Sequence, residues 1–279
     1  MQNNFPESPF THSKTIKVVL FGDVIGSSGQ NAVCKTVQKI KTYWNPDLII
    51  VNGENADGFG MLPDSGKKML KAGVDIITGG NHTFRPKAVL EWLDKIPNVI
   101  RPLNLVSSDS PGRGYTFFNV RNHKICIINL SGQVFMDSAD SPFRAIDKIL
   151  NYSDIKECSH RIVDFHAEAT GEKVALGYYL SSRASLVVGT HTHVQTADEK
   201  IFPGGCGYIS DLGMCGAIDS IIGMSPESII RKYTTGIPGR FNPAGGIASC
   251  EGVIAELSED IPGKCLKIQR IKVFMEDYE

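Results

Sequence analysis

The sequence predicts an α/β fold, in which buried strands alternate along the chain with helices. Short apolar runs recur, and each ends in glycine and polar residues, as expected of strands in a covered sheet. Several stretches between these runs start at proline or stop at glycine, which is typical of helices. With 279 residues, 42% of them hydrophobic and 21% charged, the chain is long enough for one large domain or two small ones.

Three strand–helix units are predicted in the first part of the chain. The strands are residues 16–21, 47–51 and 74–77. The helices that follow them are residues 30–44, 63–72 and 86–93. A glycine-rich stretch from Gly22 to Gly29 predicts a tight turn and close backbone approach after the first strand, and Gly73 predicts the end of the second helix.

The remainder of the chain continues this pattern. The predicted strands are residues 98–101, 115–120, 124–129, 161–165, a run that starts at Leu186, and two closing strands at 251–257 and 266–274. The predicted helices are residues 142–150, 171–181 and 226–233. Residues 115–129 predict a β-hairpin with its turn at 121–123. Ser141 and Pro142 occupy the N-cap and first positions of their helix.

Composition indicates the domain organisation and the compartment. Residues 1–15 are polar, contain two prolines and lack the apolar stretch of a signal peptide, so they predict a frayed tail before a single domain over 16–279. Residues 203–246, rich in glycine and proline, predict a lid or binding loop. The seven cysteines are scattered and odd in number, which predicts inert thiols in the cytoplasm and argues against a disulfide framework. A net charge of −1, and no apolar run near the ~20 residues of a membrane span, predict no membrane partner.

Polar side chains capable of binding metal ions follow several predicted strands at the point where each strand ends. They are Asp23, Glu54, Asn55, Asn81, His82, His166, His191 and His193. His191 and His193 are spaced i, i+2, so both imidazoles of an extended segment point to the same side. Because consecutive strand–helix units place their strand ends along one edge of a sheet, these side chains are expected to meet in one crevice. Asp164 lies two residues before His166 and is left without a role, and Asp211, which follows a predicted strand over 207–210, is a further candidate for lining the crevice.

Each of these residues also has an ordinary explanation. Asp23 can cap a helix, Asn55 and Asn81 can be turn residues, and His166 can be a satisfied core histidine. Their joint occurrence favours a site instead. Eight oxygen or nitrogen donors exceed the needs of one catalytic ion and suit two ions about 3.5–4 Å apart that share a carboxylate. A donor set without thiolate suits iron, manganese or zinc.

The motifs also carry a resemblance to a known family. They are Gly22-Asp23, Asn52–Ala56, Gly80–Thr83, Asp164–Thr170 and Val188–Asp198. In this order they resemble the calcineurin-like metallophosphoesterases, and more closely the YmdB-type branch of 2′,3′-cyclic-nucleotide phosphodiesterases. The resemblance covers about residues 16–257. It implies a four-layer α-β-β-α sandwich with two packed mixed sheets, iron as the metal with manganese or zinc as alternatives, and a homo-oligomer. The implied partner is a small phosphodiester or an RNA end.

By the same resemblance, two overlapping sets of residues hold two ions. The first set is Asp23, Glu54, Asn55 and His193, and the second is Glu54, Asn81, His166 and His191. The general superfamily has Asp-x-His at its first motif, whereas Val24 and Ile25 follow Asp23 here. Asn55 takes the place of the missing histidine, and Glu54 takes the place of the usual bridging aspartate. Both departures resemble the YmdB-type pattern.

The expected reaction is hydrolysis of a phosphodiester by a water molecule that two ions acidify, with His82 as the catalytic proton donor to the leaving ribose oxygen. Phe84 and Arg85 follow the Asn-His-Thr motif where Trp-Asp is expected, a departure that bears on substrate contacts near His82 and not on the ligands. A mononuclear amidohydrolase barrel is an alternative fold that also uses His-x-His. It carries the pair on an early strand, whereas here the pair lies late in the chain, at His191 and His193. The alternative function is a regulatory protein that binds RNA or another protein on this fold, with weak or no activity.

Overall fold

The computed structural model of the chain describes residues 6–105, 110–237 and 239–275. Its strands are β1 (Thr15–Ile25), β2 (Leu48–Asn55), β3 (Ile76–Thr78), β4 (Tyr115–Val120), β5 (His123–Ser131), β6 (His160–His166), β7 (Leu186–Thr190), β8 (Lys200–Ile201), β9 (Gly207–Ile209), β10 (Met214–Ala217), β11 (Ala248–Ser258) and β12 (Cys265–Met275). Its α-helices are α1 (Gly26–Tyr43), α2 (Pro63–Ala72), α3 (Leu90–Leu93), α4 (Pro142–Leu150), α5 (Ser153–Lys156), α6 (Thr170–Tyr179) and α7 (Pro226–Thr235). A 3-10 turn over Lys87–Val89 precedes α3.

The strands form two mixed sheets of six strands each. Sheet A has the order β12-β11-β10-β1-β2-β3, and sheet B has the order β4-β5-β6-β7-β9-β8. In sheet A, β10, β1, β2 and β3 run parallel, while β11 and β12 are antiparallel to their neighbours. In sheet B, β5, β6, β7 and β9 run parallel between the antiparallel edge strands β4 and β8. The carboxyl ends of the parallel strands therefore share one edge in each sheet.

Three apolar clusters separate four layers. In β1, Val18 and Leu20 face a cluster that also contains strand residues of sheet B, so it lies between the two sheets. Val19 and Phe21 alternate with them and pack on the other face with residues of α1 and α2. A third cluster joins the outer face of sheet B to α4 and α6. The predicted four-layer α-β-β-α sandwich is confirmed.

Local signals in the sequence set several element boundaries. α2 ends where Gly73 adopts the left-handed conformation, with a φ of 113°. α4 begins after Ser141, whose side chain accepts the backbone N–H of Arg144 at 3.4 Å. β4 and β5 form the predicted hairpin, with Val120 opposite His123.

The first two strands are longer than predicted. β1 continues through Gly22 and Asp23 to its end, and α1 begins directly afterwards at Gly26, so the predicted glycine-rich turn over 22–29 is wrong. The predicted close backbone approach is present at Gly22, because a Cβ atom there would overlap the backbone of Gly213. β2 likewise includes Glu54 and the residues beside it, which were expected in a loop.

Two other segments differ from expectation. Residues 98–101 form no strand, and only a single parallel bridge joins Val99 to Ile77. The 203–246 segment is not uniformly irregular, since β9 and β10 belong to the two sheets. α7, also in this segment, has no buried residue among those described. The role of the segment as a lid stays a prediction.

The chain before β1 lies against the domain from Pro6 onward. The indole Nε1 of Trp44 donates to the carbonyl oxygen of Pro6 at 2.8 Å. The buried Glu256 carboxylate accepts the backbone N–H groups of Thr11 (2.7 Å) and His12 (2.8 Å). A buried carboxylate needs such donors, and they hold this stretch in place. The structure thus differs from the predicted frayed tail over 6–15, while residues 1–5 lie outside the described residues.

All seven cysteines are free, and six of them are buried. This agrees with the absence of a disulfide framework. No described helix has both the length and the apolar composition that crossing a membrane requires.

Candidate active site

The strand-end side chains predicted from the sequence meet at one edge of the two sheets. Sheet A supplies Asp23 from β1, Glu54 and Asn55 from β2, and Asn81 and His82 after β3, while sheet B supplies His166 from β6 and His191 and His193 after β7. Contacts across the sheets hold them together. The backbone N–H of His191, for example, donates to Asp23 Oδ2 at 3.0 Å. All eight predicted residues are brought into one cluster.

Two carboxylates lie at the base of this cluster. Asp23 and Glu54 have at most 1% of their surface exposed. Asp23 Oδ1 and Glu54 Oε2 are buried and have no hydrogen-bond partner among the residues that the structure describes. Burial raises the pKa of Asp23 well above its usual value, and the neighbouring Asp211 carboxylate raises it further. Among the described residues, these two buried carboxylate oxygens thus lack a positively charged or hydrogen-bonding partner, which buried polar atoms normally have.

Two of the three site histidines of sheet B are anchored through one ring nitrogen to acceptors at the periphery. His193 Nδ1 donates to the backbone carbonyl of Ile222 at 3.0 Å. His191 Nε2 lies 3.2 Å from Glu168 Oε2. These partners place the ring proton on the outer nitrogen, so His193 Nε2 and His191 Nδ1 present lone pairs to the centre.

The third histidine is anchored through a hydroxyl. His166 Nδ1 lies 3.0 Å from Thr190 Oγ1. The Thr190 hydroxyl donates its only hydrogen to Asp164 Oδ1 at 2.8 Å, so it must accept from His166. The lone pair of His166 is therefore on Nε2. Burial lowers the pKa of His166 well below its usual value and lowers that of His191 to about 4, so both rings are neutral.

The inward-facing atoms of this group are hydrogen-bond acceptors that face one another. His166 Nε2 lies 3.1 Å from His191 Nδ1, 3.1 Å from Asn81 Oδ1 and 3.7 Å from Glu54 Oε1. Asn81 Nδ2 donates to Asp137 Oδ2 at 3.1 Å, which turns Oδ1 inward. No hydrogen lies between these acceptors. A cation placed among them would satisfy all of them together.

A second group lies beside the first, around Asp23. Asp23 Oδ1 lies 3.7 Å from His166 Nδ1 and 3.9 Å from His193 Nε2. Asn55 Nδ2 lies 3.1 Å from the same His193 nitrogen. Carboxylate, carboxamide and imidazole donors are those that iron, manganese and zinc accept.

The first group contains Glu54, Asn81, His166 and His191 of the second ligand set, and the second group contains Asp23, Asn55 and His193 of the first set. The chemistry of both groups fits cations. Within residues 6–105, 110–237 and 239–275, however, no three His, Cys, Asp or Glu side chains form a group that could hold a metal ion. Two of the seven predicted donors, Asn55 and Asn81, are carboxamides. The individual ligand assignments therefore stay predictions.

His82 lies beside the carboxylates with its side chain 15% exposed. Its Nδ1 is 2.9 Å from Glu54 Oε1 and 3.1 Å from Asn55 Oδ1. Its Nε2 makes no hydrogen bond to a described residue. The ring meets Phe59 edge to face at 5.1 Å, and the Arg85 guanidinium lies 5.6 Å from the Phe59 ring centre. His82 thus presents one free ring nitrogen beside an aromatic and a cationic side chain.

The backbone of the site is constrained at two places. His191 and His193 have φ values of 106° and 64°, in the left-handed region that residues other than glycine rarely adopt. Gly80 packs against the site so closely that a Cβ atom there would overlap the His166 ring and lie 2.5 Å from Glu54 Oε2.

Beneath the site lies a buried polar network that the sequence analysis did not assign. Asn52 and Thr78 of sheet A donate to Asp164 Oδ2 of sheet B at 3.0 and 2.5 Å. Burial raises the pKa of Asp164 to about 6. One signal was available in the sequence, because Asp164 precedes His166 by two residues in a strand and so faces the same side.

Asp211, the further candidate for lining the crevice, lies directly behind the histidine turn. It accepts from Lys173 Nζ at 2.7 Å and from the backbone N–H of Thr192 at 3.1 Å. Lys173 gave no signal in the sequence, because a lysine within a helix usually faces solvent.

Comparisons with known proteins agree with this geometry. The family model described as YmdB-like protein matches residues 19–271. A Bacillus subtilis (strain 168) protein named 2′,3′-cyclic-nucleotide 2′-phosphodiesterase is 41% identical over 259 residues, which cover 92% of this chain and 97% of that protein. The crystal structure of a novel phosphatase from Mycoplasma pneumoniae has a TM-score of 0.87 at 34% identity and covers 95% of each chain. A putative 5′-nucleotidase from Staphylococcus aureus shares the fold, with a TM-score of 0.61 at 14% identity over 95% of this chain and 55% of its own. This chain belongs to the YmdB-like protein family.

Proposed function

We propose that this chain hydrolyses 2′,3′-cyclic nucleotides or closely related phosphodiesters in a metal-dependent reaction. One observation carries the proposal: His166 Nε2 lies 3.1 Å from His191 Nδ1 and 3.1 Å from Asn81 Oδ1, and the outer partners of the two rings leave these atoms as acceptors. They lie beside the unpartnered carboxylate oxygens of Asp23 and Glu54. Such a cluster of acceptors is stabilised by positive charge. The printed name of the Bacillus subtilis relative supplies the class of substrate.

The ligands proposed for two cations are Asp23, Glu54, Asn55 and His193 for one, and Glu54, Asn81, His166 and His191 for the other. When bound, such cations polarise phosphoryl oxygens and lower the pKa of a water molecule. Iron is the proposed metal, with manganese and zinc as alternatives. The outer partners of the histidines support this assignment, because they fix the ring tautomers that leave lone pairs inside.

His82 is the proposed proton donor. Glu54 and Asn55 occupy its Nδ1, so Nε2 is the ring atom that can face a substrate. In the proposed step, a water oxygen bonds to phosphorus as the water gives up one proton to solvent, the bond from phosphorus to O2′ breaks, and the proton on Nε2 passes to O2′. His82 then takes a proton back from solvent. The product is a nucleoside 3′-phosphate. The leaving oxygen stays attached through the ribose, so it need not diffuse away.

The test is elemental analysis of protein purified without added metal, followed by assays on 2′,3′-cyclic AMP, bis(p-nitrophenyl) phosphate and 3′-AMP. We expect bound transition metal and hydrolysis of the diesters, with activity lost on chelation and restored by iron or manganese. Glu54→Gln should lose both metal and activity, whereas Asp64→Asn, on the exposed start of α2, should lose neither. Absence of turnover with iron, manganese or zinc would overturn the proposal and favour a binding role on the same fold.

Three further points belong to this proposal. The free cysteines support a reducing compartment such as the cytoplasm. The carbonyl oxygen of Ile222, inside the 203–246 segment, bonds to His193, which supports a role for that segment in lining the site. The homo-oligomer and an RNA end as substrate stay predictions.

A further inference from the structure

A buried ion pair lies behind the turn that carries His191 and His193, and the proposed reaction does not use it. Lys173 in α6 and Asp211 after β9 have side chains that are 2% and 1% exposed. Lys173 Nζ lies 2.7 Å from Asp211 Oδ2. Removing two charges from water is unfavourable, and their mutual attraction often fails to compensate for it. Stabilising the fold is therefore a weak explanation for this pair.

Asp211 connects the ion pair to two ligand-bearing segments. Its Oδ2 accepts the backbone N–H of Thr192 at 3.1 Å, and its Oδ1 accepts that of Gly213 at 2.9 Å. The carbonyl oxygen of Gly213 in turn accepts the backbone N–H of Asp23 at 3.2 Å. A single carboxylate thus links the histidine turn to the strand that carries Asp23.

The histidine turn requires such an anchor. Both of its histidines have left-handed φ values, and Thr192 lies between them. Non-glycine residues stay in that region only where the surroundings over-determine the backbone. Without an acceptor for the Thr192 N–H, the turn can relax toward an ordinary conformation, which would move both imidazoles away from the site.

Lys173 reaches Asp211 past Gly189 at the end of β7. A Cβ atom at Gly189 would overlap the backbone of Ser210 and would lie 3.1 Å from Lys173 Cδ, so the glycine is required by the Ser210 backbone and also leaves room for the lysine stem. The ammonium group neutralises Asp211, which is close enough to Asp23 to affect it electrostatically. Without Lys173, an uncompensated carboxylate would lie beside Asp23.

We infer that Lys173 and Asp211 are positioning residues that hold the 191–193 turn in the conformation required for activity. Asp211 binds the turn, and Lys173 holds the Asp211 carboxylate in place. Neither residue reaches the reacting atoms. The effect on hydrolysis rests on the proposed function, whereas the effect on the turn does not.

The test compares Asp211→Asn, Lys173→Met and the double variant with the wild type. Each single variant leaves a buried charge unpaired and should melt at a lower temperature. The double variant removes both charges, so its melting temperature should return most of the way to that of the wild type. We expect its kcat on 2′,3′-cyclic AMP to stay roughly tenfold or more below the wild type with a smaller change in KM, and the Mn²⁺ affinity of metal-stripped protein to fall about 10–100-fold.

Asp47→Asn is the matched control. Asp47 Oδ2 also accepts a backbone N–H, that of Lys17 at 2.8 Å, and Asp47 Oδ1 pairs with Arg121 at 2.7 Å. This pair precedes β2, at the sheet edge opposite the site. Its loss should lower the melting temperature without changing kcat or Mn²⁺ affinity.

A second measurement starts from the wild type, whose folding is not in question. Amide hydrogen exchange on metal-free wild type should show slow exchange at Thr192, and Asp211→Asn should accelerate it about tenfold or more. The inference is overturned if the Thr192 amide of the wild type exchanges as fast as an exposed loop amide, or if the double variant keeps wild-type kcat and Mn²⁺ affinity. If the wild type hydrolyses no diester, the proposed function fails while the exchange measurement still decides the role of Asp211.

Discussion

Replacing Gly80 with alanine is expected to damage the site while the fold remains. Gly80 does not have a positive φ, so alanine meets no backbone penalty there. Its Cβ would nevertheless overlap the His166 imidazole and lie 2.5 Å from Glu54 Oε2, where ordinary contact begins at 3.4 Å. The difference, 3.4 − 2.5 = 0.9 Å, is the shift that Glu54 or the Gly80 backbone must make.

A shift of this size should affect rate more than stability. Misplacing a reacting group by about 1 Å lowers the rate on the order of 10²-fold, which corresponds to ~2.7 kcal/mol of activation free energy. Overpacking a buried position lowers the free energy of unfolding by about 1–3 kcal/mol. Since domains are stable by roughly 5–15 kcal/mol, Gly80→Ala should still fold.

The assay is hydrolysis of 2′,3′-cyclic AMP together with metal content and thermal unfolding. Gly171→Ala is the control, because a Cβ atom there meets nothing within 4 Å. Gly171 lies in α6, so alanine should leave activity unchanged and stability equal or slightly higher. A folded Gly80→Ala protein whose kcat/KM is within about threefold of the wild type would refute the reasoning, because the predicted effect is on the order of 10²-fold.

Three other changes test other parts of the site and the fold. His82→Ala should lower kcat by about 10²–10⁴-fold while the metal content stays at the wild-type level. The control His123→Ala should change neither kcat nor metal content. Loss of metal from His82→Ala in proportion to its loss of activity would make His82 a ligand. Thr190→Val removes the acceptor of His166 Nδ1 and should weaken Mn²⁺ binding about 10–100-fold in calorimetry. Thr190→Ser keeps the hydroxyl and should bind Mn²⁺ as the wild type does. Equal Mn²⁺ affinity of the two variants would contradict the tautomer assignment. Burial lowers the pKa of His160 to about 4, below the ~6.5 of an unfolded histidine, so the unfolded chain binds more protons between those values. The free energy of unfolding should therefore fall by up to ~3 kcal/mol as the pH drops from about 6.5 to 4, and urea titrations should show a smaller fall for His160→Gln; an identical fall would exclude His160 as its source.

The local part of the fold was predictable from the sequence. The helix over 63–72 carries its own stop signal in Gly73, and the helix over 142–150 carries its own cap in Ser141. The ends of the first two strands were not predictable in this way. Gly22 looked like a turn residue, but it lies inside β1 because Gly213 packs against it, and that contact is invisible in the local sequence.

The side chains of the candidate site were predictable from the sequence, but the partners that orient them were not. Strand-end position and residue type were enough to select the side chains that cluster, from Asp23 to His193. They were not enough to find the partners that orient them. Asp164 supports His166 only through the Thr190 hydroxyl of the neighbouring strand, and recognising this requires knowing that β6 pairs with β7.

The order of strands in sheet A has a consequence for biosynthesis. β1, β2 and β3 come from the start of the chain, whereas β10, β11 and β12 come from its end, and β1 pairs along residues 15–21 with β11. A nascent chain that has emerged from the ribosome through His193 therefore carries every proposed ligand without the strands that complete sheet A. Sheet B, made from residues 115–209, can form earlier. We expect the proposed ligand cluster to assemble only after β10, β11 and β12 have been synthesised, since such long-range strand pairing is slow and comes late in folding.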